Sequence, residues 1–322
     1  ALRHPFTAPA TGVRMTLAVT FLGTSGAVPT GQRNTSSVFL RREGDCFLFD
    51  CGEGTQRQMM RFGTGFGIDH IFLSHTHGDH VLGLPGLLQT WDFNERDRAI
   101  AIHTPNGTRQ LVRNLTSATG ARPSYPVRVH EVGPGDTVLD AEEYEVRAFE
   151  TDHRAKSVGY ALIEDDRKGR FDRERAEELG VPVGPRFSTL HAGDAVELDD
   201  GTVVHPDEVV GDPRPGRTVA YTGDTRPIGA TVEAAADADL LIHDATFLDD
   251  RRERAGETGH STAVQAAEIA NRANAKRLAL THVSSRYAGH EYDIEDEGQA
   301  FFDGEAFLPD DGDEIEVPYP DD

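Results

Sequence analysis

Three histidines and one aspartate fall within six consecutive positions of this chain, His75 to His80. In an extended segment at the end of a strand, His75 and His77 point to the same side, and Asp79 and His80 lie where the chain turns into the next helix. Imidazole and carboxylate ligands without a thiolate suit Zn²⁺, with Mn²⁺ or Fe²⁺ as geometric alternatives. The spacing therefore predicts a loop that offers ligands to two neighbouring metal ions.

A two-metal site needs more ligands than this loop contains, and three further candidates follow predicted strands. His153 follows YEVRAFETD, Asp224 follows TVAYTG, and His282 follows RLALT. A single histidine at the end of a strand is more often structural than a metal ligand. Three candidates at equivalent points, beside a loop of ligands, favour the metal-binding interpretation.

Short runs rich in valine, leucine and phenylalanine predict the strands that position these residues, beginning with TLAVTFLG, SVFLRR and CFLFD. After Asp50, GEGTQRQMMRF predicts a helix, and HVLGLPGLLQTW predicts another that is interrupted at Pro85. Strands and helices then alternate, and STAVQAAEIANRA has the pattern of an amphipathic helix. The tail from Pro309 is expected to be a solvated acidic end in which EIEV forms an edge strand.

The chain of 322 residues is long enough for one large α/β domain. Residues 1–14 lack the apolar run of a secretory signal and are expected to be a disordered or non-native extension. Residues 15–322 are predicted to form a single domain. Within it, the charged and then Gly/Pro-rich stretch 164–217 changes character, which predicts an insertion or projecting arm.

The chain has 32 basic and 55 acidic residues, a net charge of −23, and only three lysines. We interpret this acidic, lysine-poor balance as an adaptation to high salt. Net charge alone argues against a nucleic-acid partner, but in molar salt the Debye length falls to about 3 Å, so local basic clusters are more informative. A mean hydropathy of −0.48 without a long apolar run predicts no membrane segment.

The cysteines, Cys46 and Cys51, have a spacing that matches neither a C-x-x-C motif nor a secreted disulfide framework. We expect both to behave as small buried hydrophobic residues. The scarcity of cysteine, together with the missing secretory signal, predicts a reducing, cytoplasmic location.

Five segments resemble the motifs of the metallo-β-lactamase fold, in a match that runs from about residue 16 to residue 287. These segments are LFDCGEGTQRQ at 48–58, SHTHGDHVLGLPGLL at 74–88, TDHR at 151–154, TGDTRP at 222–227 and THVSSRY at 281–287. HDAT at 243–246 and GHST at 259–262 resemble the ribonuclease Z family, whose members trim the 3′ trailer from precursor tRNA. The resemblance implies an α/β fold built as a four-layer αββα sandwich, with metals at the sheet edge and a projecting flexible arm.

The resemblance also implies how the candidate residues divide between two zinc ions, for which Mn²⁺ is an alternative. The expected ligands are His75, His77 and His153 for one ion, Asp79, His80 and His282 for the other, and Asp224 as a bridge between them. Asp50 is expected to orient a ligand histidine, as carboxylate–histidine–metal triads do. Physical chemistry supports this division, because two ions that share a water lower its pKa and stabilise both oxygens of an in-line phosphoryl displacement.

For catalysis, the resemblance implies that Asp79 takes a proton from the attacking water and that His260 supplies one to the leaving 3′ oxygen. Asp244 stands where the family has a glutamate that supports this histidine, so its side chain is shorter by a methylene. Catalytic geometry is sensitive to errors of that size. The alternative role of His260 is structural, at the N-terminal end of a helix before Ser261.

The resemblance implies that the substrate is precursor tRNA, cut after the discriminator nucleotide to leave a 3′ hydroxyl on the tRNA. The family usually works as a homodimer, in which the arm of one protomer presents tRNA to the site of the other. The SGAVPTGQRN segment resembles a substrate loop of the family, with Gly31 in place of its lysine. The expected RNA contacts are Arg33, Asn34, Arg57, Arg61 and Arg286 near the site, and Gly184 and Pro185 in the arm.

Several alternative interpretations accompany these expectations. Solvated surface arginines and a plain acidic insertion loop are the alternatives for the RNA contacts and for the arm. The alternative enzyme is a phosphodiesterase of the same fold that acts on small phosphodiesters or on other RNAs. A non-catalytic RNA-binding or dimerisation protein is disfavoured, because structural zinc sites are usually closed sets of four ligands.

Overall fold

We describe the protein from a computed structural model, which covers residues 16–118, 120 and 122–320. The extension predicted at residues 1–14 lies outside the described residues. None of the helices within these ranges is long and apolar enough to cross a membrane.

Strands and helices alternate along most of the chain. The strands of the described ranges are β1 Leu17–Gly23, β2 Ser25–Gly26, β3 Ser37–Arg42, β4 Asp45–Phe49, β5 His70–Phe72, β6 Ile100–Pro105, β7 Val127–Val132, β8 Thr137–Asp140, β9 Tyr144–Glu150, β10 Val158–Glu164, β11 Val196–Glu197, β12 Val203–Val204, β13 Thr218–Tyr221, β14 Leu240–Asp244, β15 Arg277–Thr281, β16 Val283–Ser284, β17 Glu305–Phe307 and β18 Glu314–Glu316. The α-helices are α1 Thr55–Phe62, α2 Gly78–Val81, α3 Leu84–Phe93, α4 Arg109–Thr116, α5 Arg173–Glu178, α6 Pro185–Ala192, α7 Gly229–Ala234, α8 Arg252–Thr258, α9 Ala263–Arg272 and α10 Tyr292–Phe301.

Two seven-stranded mixed sheets form the centre of the part of the chain that the structure describes. The first has the strand order β18-β1-β3-β4-β5-β6-β7, and the second has the order β17-β15-β14-β13-β10-β9-β8. Strands β4 to β7 run parallel in the first sheet, as do β13, β14, β15 and β17 in the second. The edge strand predicted in EIEV is confirmed as β18, which pairs with β1.

Alternating side-chain directions along the strands explain why the sheets pack in four layers. Phe47 and Phe49 of β4 lie in the core between the two sheets, whereas Leu48 packs with the helices outside the first sheet. In the second sheet, Leu240 of β14 faces the shared core and Leu241 packs under the outer helices. A single apolar strand therefore fills two layers, and the predicted αββα sandwich is confirmed.

The helix predicted around Pro85 differs from the observed one. The chain forms two helices here, α2 and α3, and Pro85 is the second residue of α3 rather than an interruption within it. Proline fits the first turn of a helix because the N–H that it lacks would have no partner inside the helix there. The prediction placed the break a few residues too late.

The predicted arm, 164–217, begins and ends at a buried ion pair. Arg217 Nε donates to Glu164 Oε2 at 2.7 Å, and Arg42 Nε donates to Glu164 Oε1 at 2.8 Å. Beyond this base the arm contains α5, α6 and the β11–β12 hairpin around a small core of its own, formed by Ala176, Val181, Leu190, Val196, Val204 and Val209. The Gly/Pro-rich sequence thus forms a small packed unit, and its mobility stays a prediction.

Candidate active site

The carboxyl ends of five strands bring the predicted site residues to one edge of the sandwich. Parallel strands share the edge at which they end, and ligands of open α/β sheets bind outside these ends. The strands are β4, β5, β13, β14 and β15, and the site residues at or just after their ends are Asp50, His75, Asp224, Asp244 and His282. His153 joins them from the turn between β9 and β10.

Four donors converge in a first ligand group. His75 Nε2 lies 3.0 Å from His77 Nδ1, and His153 Nε2 lies 3.3 Å from the same Nδ1. Asp224 Oδ2 lies 3.6 Å from His75 Nε2 and 3.8 Å from His153 Nε2. All four ligand atoms lie within 4.8 Å of one another. These separations suit ligands placed around one ion at about 2 Å.

A second ligand group shares Asp224 with the first. Asp79 Oδ2 lies 3.5 Å from His80 Nε2 and 3.3 Å from His282 Nε2. Asp224 Oδ1 lies 3.3 Å from each of the same two nitrogens. Because Asp224 presents Oδ2 to the first group and Oδ1 to the second, its placement fits the predicted bridging role.

Two buried atoms of the second group have no hydrogen-bond partner among the described residues, His80 Nε2 and Asp224 Oδ1. Burial alone would lower the pKa of His80, but the carboxylates of Asp224 and Asp50 outweigh burial and raise this pKa. The pocket therefore favours a positive charge at this point. Buried polar atoms without partners are costly, and a cation held between them removes that cost. Both groups are candidate sites for divalent metal ions, and Asp224, Asp244, His260 and His282 form a third set of possible ligands.

Hydrogen bonds to the remaining ring nitrogens orient several of the candidate ligand histidines. His153 Nδ1 lies 2.7 Å from the Gly259 carbonyl oxygen, which fixes Nδ1 as the donor and leaves Nε2 as the ligand atom. His282 Nδ1 lies 2.8 Å from Thr246 Oγ1. Burial lowers the pKa of His75 and of His153, which keeps both rings in the neutral form that binds metal.

Asp50 is fully buried and binds groups from both sheets. Its Oδ1 accepts from Ser74 N at 2.7 Å, and its Oδ2 accepts from Ser74 Oγ and from Tyr221 Oη, each at 2.7 Å. Asp50 Oδ2 also lies 2.7 Å from His80 Nδ1. Of the histidines predicted as ligands, His80 is therefore the one that Asp50 contacts. These contacts hold Asp50 at a φ of 57°, a left-handed conformation that is uncommon outside glycine.

Asp244 and His260 form a hydrogen-bonded pair beside the second ligand group. Asp244 Oδ2 lies 2.8 Å from His260 Nδ1, so the aspartate reaches the histidine despite its shorter side chain. Asp244 is held in turn by the N–H groups of Thr225 at 3.1 Å and Thr246 at 2.9 Å. Burial alone would lower the pKa of His260, but Asp244 raises it to about 9. The His260 ring stacks on His282 with centroids 5.0 Å apart.

Arg33 was predicted to contact RNA, but its guanidinium is buried and paired within the protein. Its side chain is 5% exposed, with Nη1 donating to Thr24 Oγ1 at 2.7 Å and to the Pro309 carbonyl at 2.6 Å. Its Nη2 donates to Asp310 Oδ1 at 2.6 Å. The prediction of a solvated tail is therefore wrong for Pro309, Val317 and Tyr319, which are buried, whereas the acidic side chains of Asp310, Asp313, Glu314 and Glu316 are exposed as expected. The tail is packed because a buried guanidinium needs acceptors, and the tail supplies them.

The other predicted RNA contacts near the site lie at the surface. Asn34, Arg57 and Arg61 line a cleft of about 390 Å³, and both arginines are exposed on α1. Arg286 is exposed, with its guanidinium 5.3 Å from the centre of the Phe247 ring. In the arm, Gly184 and Pro185 lie at the N-terminal end of α6. Contact of these residues with RNA stays a prediction.

Three residues that orient the site were not identified from the sequence. Ser74 and Tyr221 bind Asp50, and the Thr246 hydroxyl donates to Asp244 Oδ1 at 2.6 Å while contacting His282. The HDAT segment ends at Thr246 and offered a signal for it. Tyr221 had none, because only the packing of the two sheets brings it to Asp50.

The sequence matches the metallo-β-lactamase superfamily over residues 30–282. It is 65% identical over 307 residues to ribonuclease Z of Natronomonas pharaonis, covering 95% of this chain and 100% of the relative. It is 49% identical over 304 residues to ribonuclease Z of Methanosarcina acetivorans, covering 94% and 99%. The fold is similar to the crystal structure of human tRNase Z, short form, with a TM-score of 0.68, 31% identity and coverage of 94% and 99%.

Relatives from halophilic archaea are among the matches, which agrees with the predicted adaptation to high salt. The superfamily match includes every residue of both ligand groups, and the relatives span nearly the whole chain. The chain therefore belongs to the ribonuclease Z family of the metallo-β-lactamase superfamily.

Proposed function

We propose that this protein is a metal-dependent endoribonuclease that removes the 3′ trailer from precursor tRNA. The cut falls after the discriminator nucleotide and leaves a 3′ hydroxyl on the tRNA. The observation that carries the proposal is the Asp244–His260 pair, hydrogen-bonded at 2.8 Å beside two ligand groups that share Asp224. Family membership, with relatives named ribonuclease Z and tRNase Z, supplies the substrate class.

The donors of the two ligand groups fit one Zn²⁺ each, with Mn²⁺ as the alternative, because imidazoles and carboxylates occur there without thiolates. The first ion is assigned His75, His77, His153 and Asp224, and the second Asp79, His80, His282 and Asp224. When bound, such a pair of ions activates water as the nucleophile and stabilises the attacking and leaving oxygens of an in-line phosphoryl displacement.

Two side chains, Asp79 and His260, transfer the protons of the proposed reaction. Asp79 Oδ2 receives the proton that the attacking water releases. Burial alone would raise the pKa of Asp79, but His282 and His80 outweigh burial and lower it, so the carboxylate is ionised. His260 is hydrogen-bonded to Asp244 through Nδ1, which leaves its Nε2–H to donate to the leaving 3′ oxygen.

The proposal is tested with an end-labelled precursor tRNA that carries a 3′ trailer. The purified full-length protein is incubated in molar KCl with and without Zn²⁺ or Mn²⁺, and the ends of the products are mapped. We expect a single metal-dependent cut next to the discriminator. Asp224→Ala, prepared in the same way, controls for contaminating nucleases. Metal-dependent hydrolysis of bis(p-nitrophenyl) phosphate without a cut in tRNA would reassign the protein to small phosphodiesters.

The arm is proposed to hold tRNA outside the active site. Phosphate binding by counterion release weakens steeply with salt, so this contact relies on shape and hydrogen bonds. Residues 172–209 can be replaced by a short glycine linker, because their flanks Phe171 and Val210 pair directly and the Glu164–Arg217 base stays intact. We expect KM for precursor tRNA to rise at least about tenfold while hydrolysis of the small phosphodiester is spared. Equal loss of both activities would contradict this role.

The protein is further proposed to act as a homodimer in the cytoplasm, where its substrate is made. Two large apolar side chains of the layer outside the first sheet, Met60 and Phe93, are exposed and are candidates for the contact. Sedimentation in molar KCl should give twice the mass of the chain, and Phe93→Asp should shift the equilibrium toward the monomer. A wild-type monomer at concentrations that support cleavage would contradict the dimer.

A further inference from the structure

The C-terminal segment makes contacts that the proposed mechanism does not use. We propose that residues 309–313 hold the loop 24–34 in the shape that aims the Ala27 N–H at Asp79, with Asp311 as the positioning residue. The inference rests on the proposed role of Asp79 in the reaction.

The carboxylate of Asp311 joins both ends of this loop to α1. Asp311 Oδ1 accepts from Thr24 Oγ1 at 3.0 Å, and its Oδ2 accepts from Asn34 N at 2.6 Å. The same Oδ2 accepts from Gln58 Nε2, on α1, at 2.8 Å. Hydrogen bonds to an ionised acceptor are shorter and stronger than those between neutral groups. One side chain therefore closes the loop and anchors it.

A second link runs through Arg33 and the backbone of the tail. The buried guanidinium of Arg33 donates to Asp310, as described above. Phe21 N donates to the Asp313 carbonyl at 3.0 Å, and Gly312 N donates to the Phe21 carbonyl at 2.7 Å. These bonds fix the tail to β1, immediately before the loop begins. The tail is therefore held in place by contacts other than those it makes with the loop.

The opposite side of the loop reaches the ligand groups at two points. Ala27 N donates to Asp79 Oδ2 at 2.8 Å. Strand β2 pairs in parallel with β16, which begins directly after the ligand His282. A Cβ on Gly26 would lie 2.6 Å from the His282 ring, so the loop is packed directly against this ligand. A shift of the loop therefore acts on both Asp79 and His282.

The conformation of Ala27 explains why the loop needs an external hold. Ala27 has a φ of 64°, in the left-handed region that is unfavourable for alanine. The backbone preference of alanine for negative φ would move Ala27 out of this conformation. Such a conformation persists only where surrounding contacts impose it. Loss of the Asp311 carboxylate is therefore expected to free the Ala27 N–H from Asp79. A misplaced proton acceptor lowers kcat, whereas substrate binding is not directly affected.

The first test is Asp311→Ala in the full-length, metal-loaded enzyme. We expect kcat to fall about tenfold on bis(p-nitrophenyl) phosphate and on precursor tRNA, equal to about 1.4 kcal/mol in the barrier, with KM changed by less than about twofold. Asp311→Asn keeps an oxygen that can accept from Asn34 and Gln58 and should retain at least about half of kcat. Asp303→Ala, which removes the same charge from an exposed side chain, is the matched control.

The second test separates positioning from general stabilisation. Glycine adopts the left-handed conformation at little cost, so Ala27→Gly removes the local drive that displaces the loop. In that background Asp311→Ala should lower kcat only about twofold to threefold. An equal tenfold loss in both backgrounds would overturn the positioning role, as would an unchanged kcat in Asp311→Ala.

Two further outcomes are informative. If Asp311→Ala does not fold, Thr24→Ala removes a hydroxyl that donates to Asp311 and accepts from Arg33, and it should lower kcat about threefold, less so together with Ala27→Gly. Wild-type kcat in Thr24→Ala would then overturn the inference. A wild-type enzyme that hydrolyses the small phosphodiester but leaves precursor tRNA intact would overturn the proposed function alone, because positioning is read from the small substrate.

Discussion

Two clusters of histidines lie at different places in the described part of this fold, and only one has the properties of a metal site. His70, His103 and His130 lie on the adjacent strands β5, β6 and β7, and we call them the histidine ladder. Ring centroids are 5.4 Å apart for His70 and His103 and 5.5 Å apart for His103 and His130. The ladder lines a cavity of about 560 Å³. The active-site histidines gather instead at the carboxyl ends of the strands.

The separation of the nitrogen atoms does not distinguish the clusters. His70 Nδ1 lies 3.1 Å from His103 Nε2, and His75 Nε2 lies 3.0 Å from His77 Nδ1. A pair of imidazoles at this distance is compatible with a shared proton as well as with a shared ion. Proximity of histidines is therefore not sufficient to identify a metal site.

The carboxylates distinguish the clusters. Asp224 presents an oxygen to each ligand group, whereas Asp69, next to His70, has its oxygens paired with Arg96 and Arg98. Of the residues that the structure describes, those that form groups of three or more metal-binding side chains all belong to the active site. In the ladder, burial and the neighbouring His70 and His130 lower the pKa of His103 to about 3, and no carboxylate offsets them. Buried imidazoles favour a cation only where carboxylates offset the cost of burying charge.

The largest expected effect removes the shared carboxylate. Asp224→Ala should lower kcat at least about 10,000-fold, because both ligand groups lose a donor, and Asp79→Ala should also abolish cleavage. Filter binding should show that precursor tRNA is still bound. His103→Phe, as the matched change in the ladder, should keep kcat within about twofold. Turnover retained by Asp224→Ala, or lost in His103→Phe, would remove the distinction between the clusters.

The next largest effect concerns the proton donor. His260→Ala and Asp244→Ala should each lower kcat about 100-fold to 1,000-fold on precursor tRNA. The double variant should be little worse than either single variant, because the two residues act as one unit. Single-turnover cleavage of precursor tRNA measures the rate for the two single variants and for the double variant. Multiplicative losses would show that Asp244 does not act through His260.

A pH effect is expected from the ladder. Because the pKa of His103 is lowered from 6.5 to about 3 in the folded state, the unfolded chain takes up this proton first as the pH falls. His103 therefore destabilises the folded state increasingly as the pH falls below 6.5. The substitution His103→Phe removes this pH dependence. When the pH is lowered from 7 to 4, the free energy of unfolding should fall by about 3 kcal/mol more in wild type than in the His103→Phe variant. Urea unfolding at constant salt would show a pH-independent difference if His103 were not held neutral.

The smallest expected effect is the loss of stability on metal removal. For each ion removed, a chelator should lower the free energy of unfolding by about 3 kcal/mol when the metal had been present at 100 times its Kd. His103→Phe should show the same shift, and Asp224→Ala a much smaller one. Equal shifts in wild type and Asp224→Ala, measured by thermal unfolding, would contradict the assignment of Asp224 as a ligand.

The elements that carry the site could be predicted from the sequence because their signals are local. Asp224 and His282 follow apolar strands, and the parallel arrangement of those strands brings their ends together. The prediction for Arg33 was wrong because its acceptor, the Pro309 carbonyl, lies 276 residues away in the sequence. Local sequence patterns do not indicate contacts at that separation. Helix α10 was missed because its acidic sequence buries little more than Ile294 and Gly298, so its apolar periodicity is weak.

The contacts of Asp50 have a consequence for when the active site forms during folding. Its carboxylate binds Ser74 and His80 from the N-terminal half of the chain and Tyr221 from the C-terminal half. The ligand groups are also spread along the chain, since His153, Asp224 and His282 are made after His75 to His80. A nascent or half-folded chain therefore holds neither a complete ligand group nor an oriented His80. We therefore expect nuclease activity only from chains that have folded as far as His282.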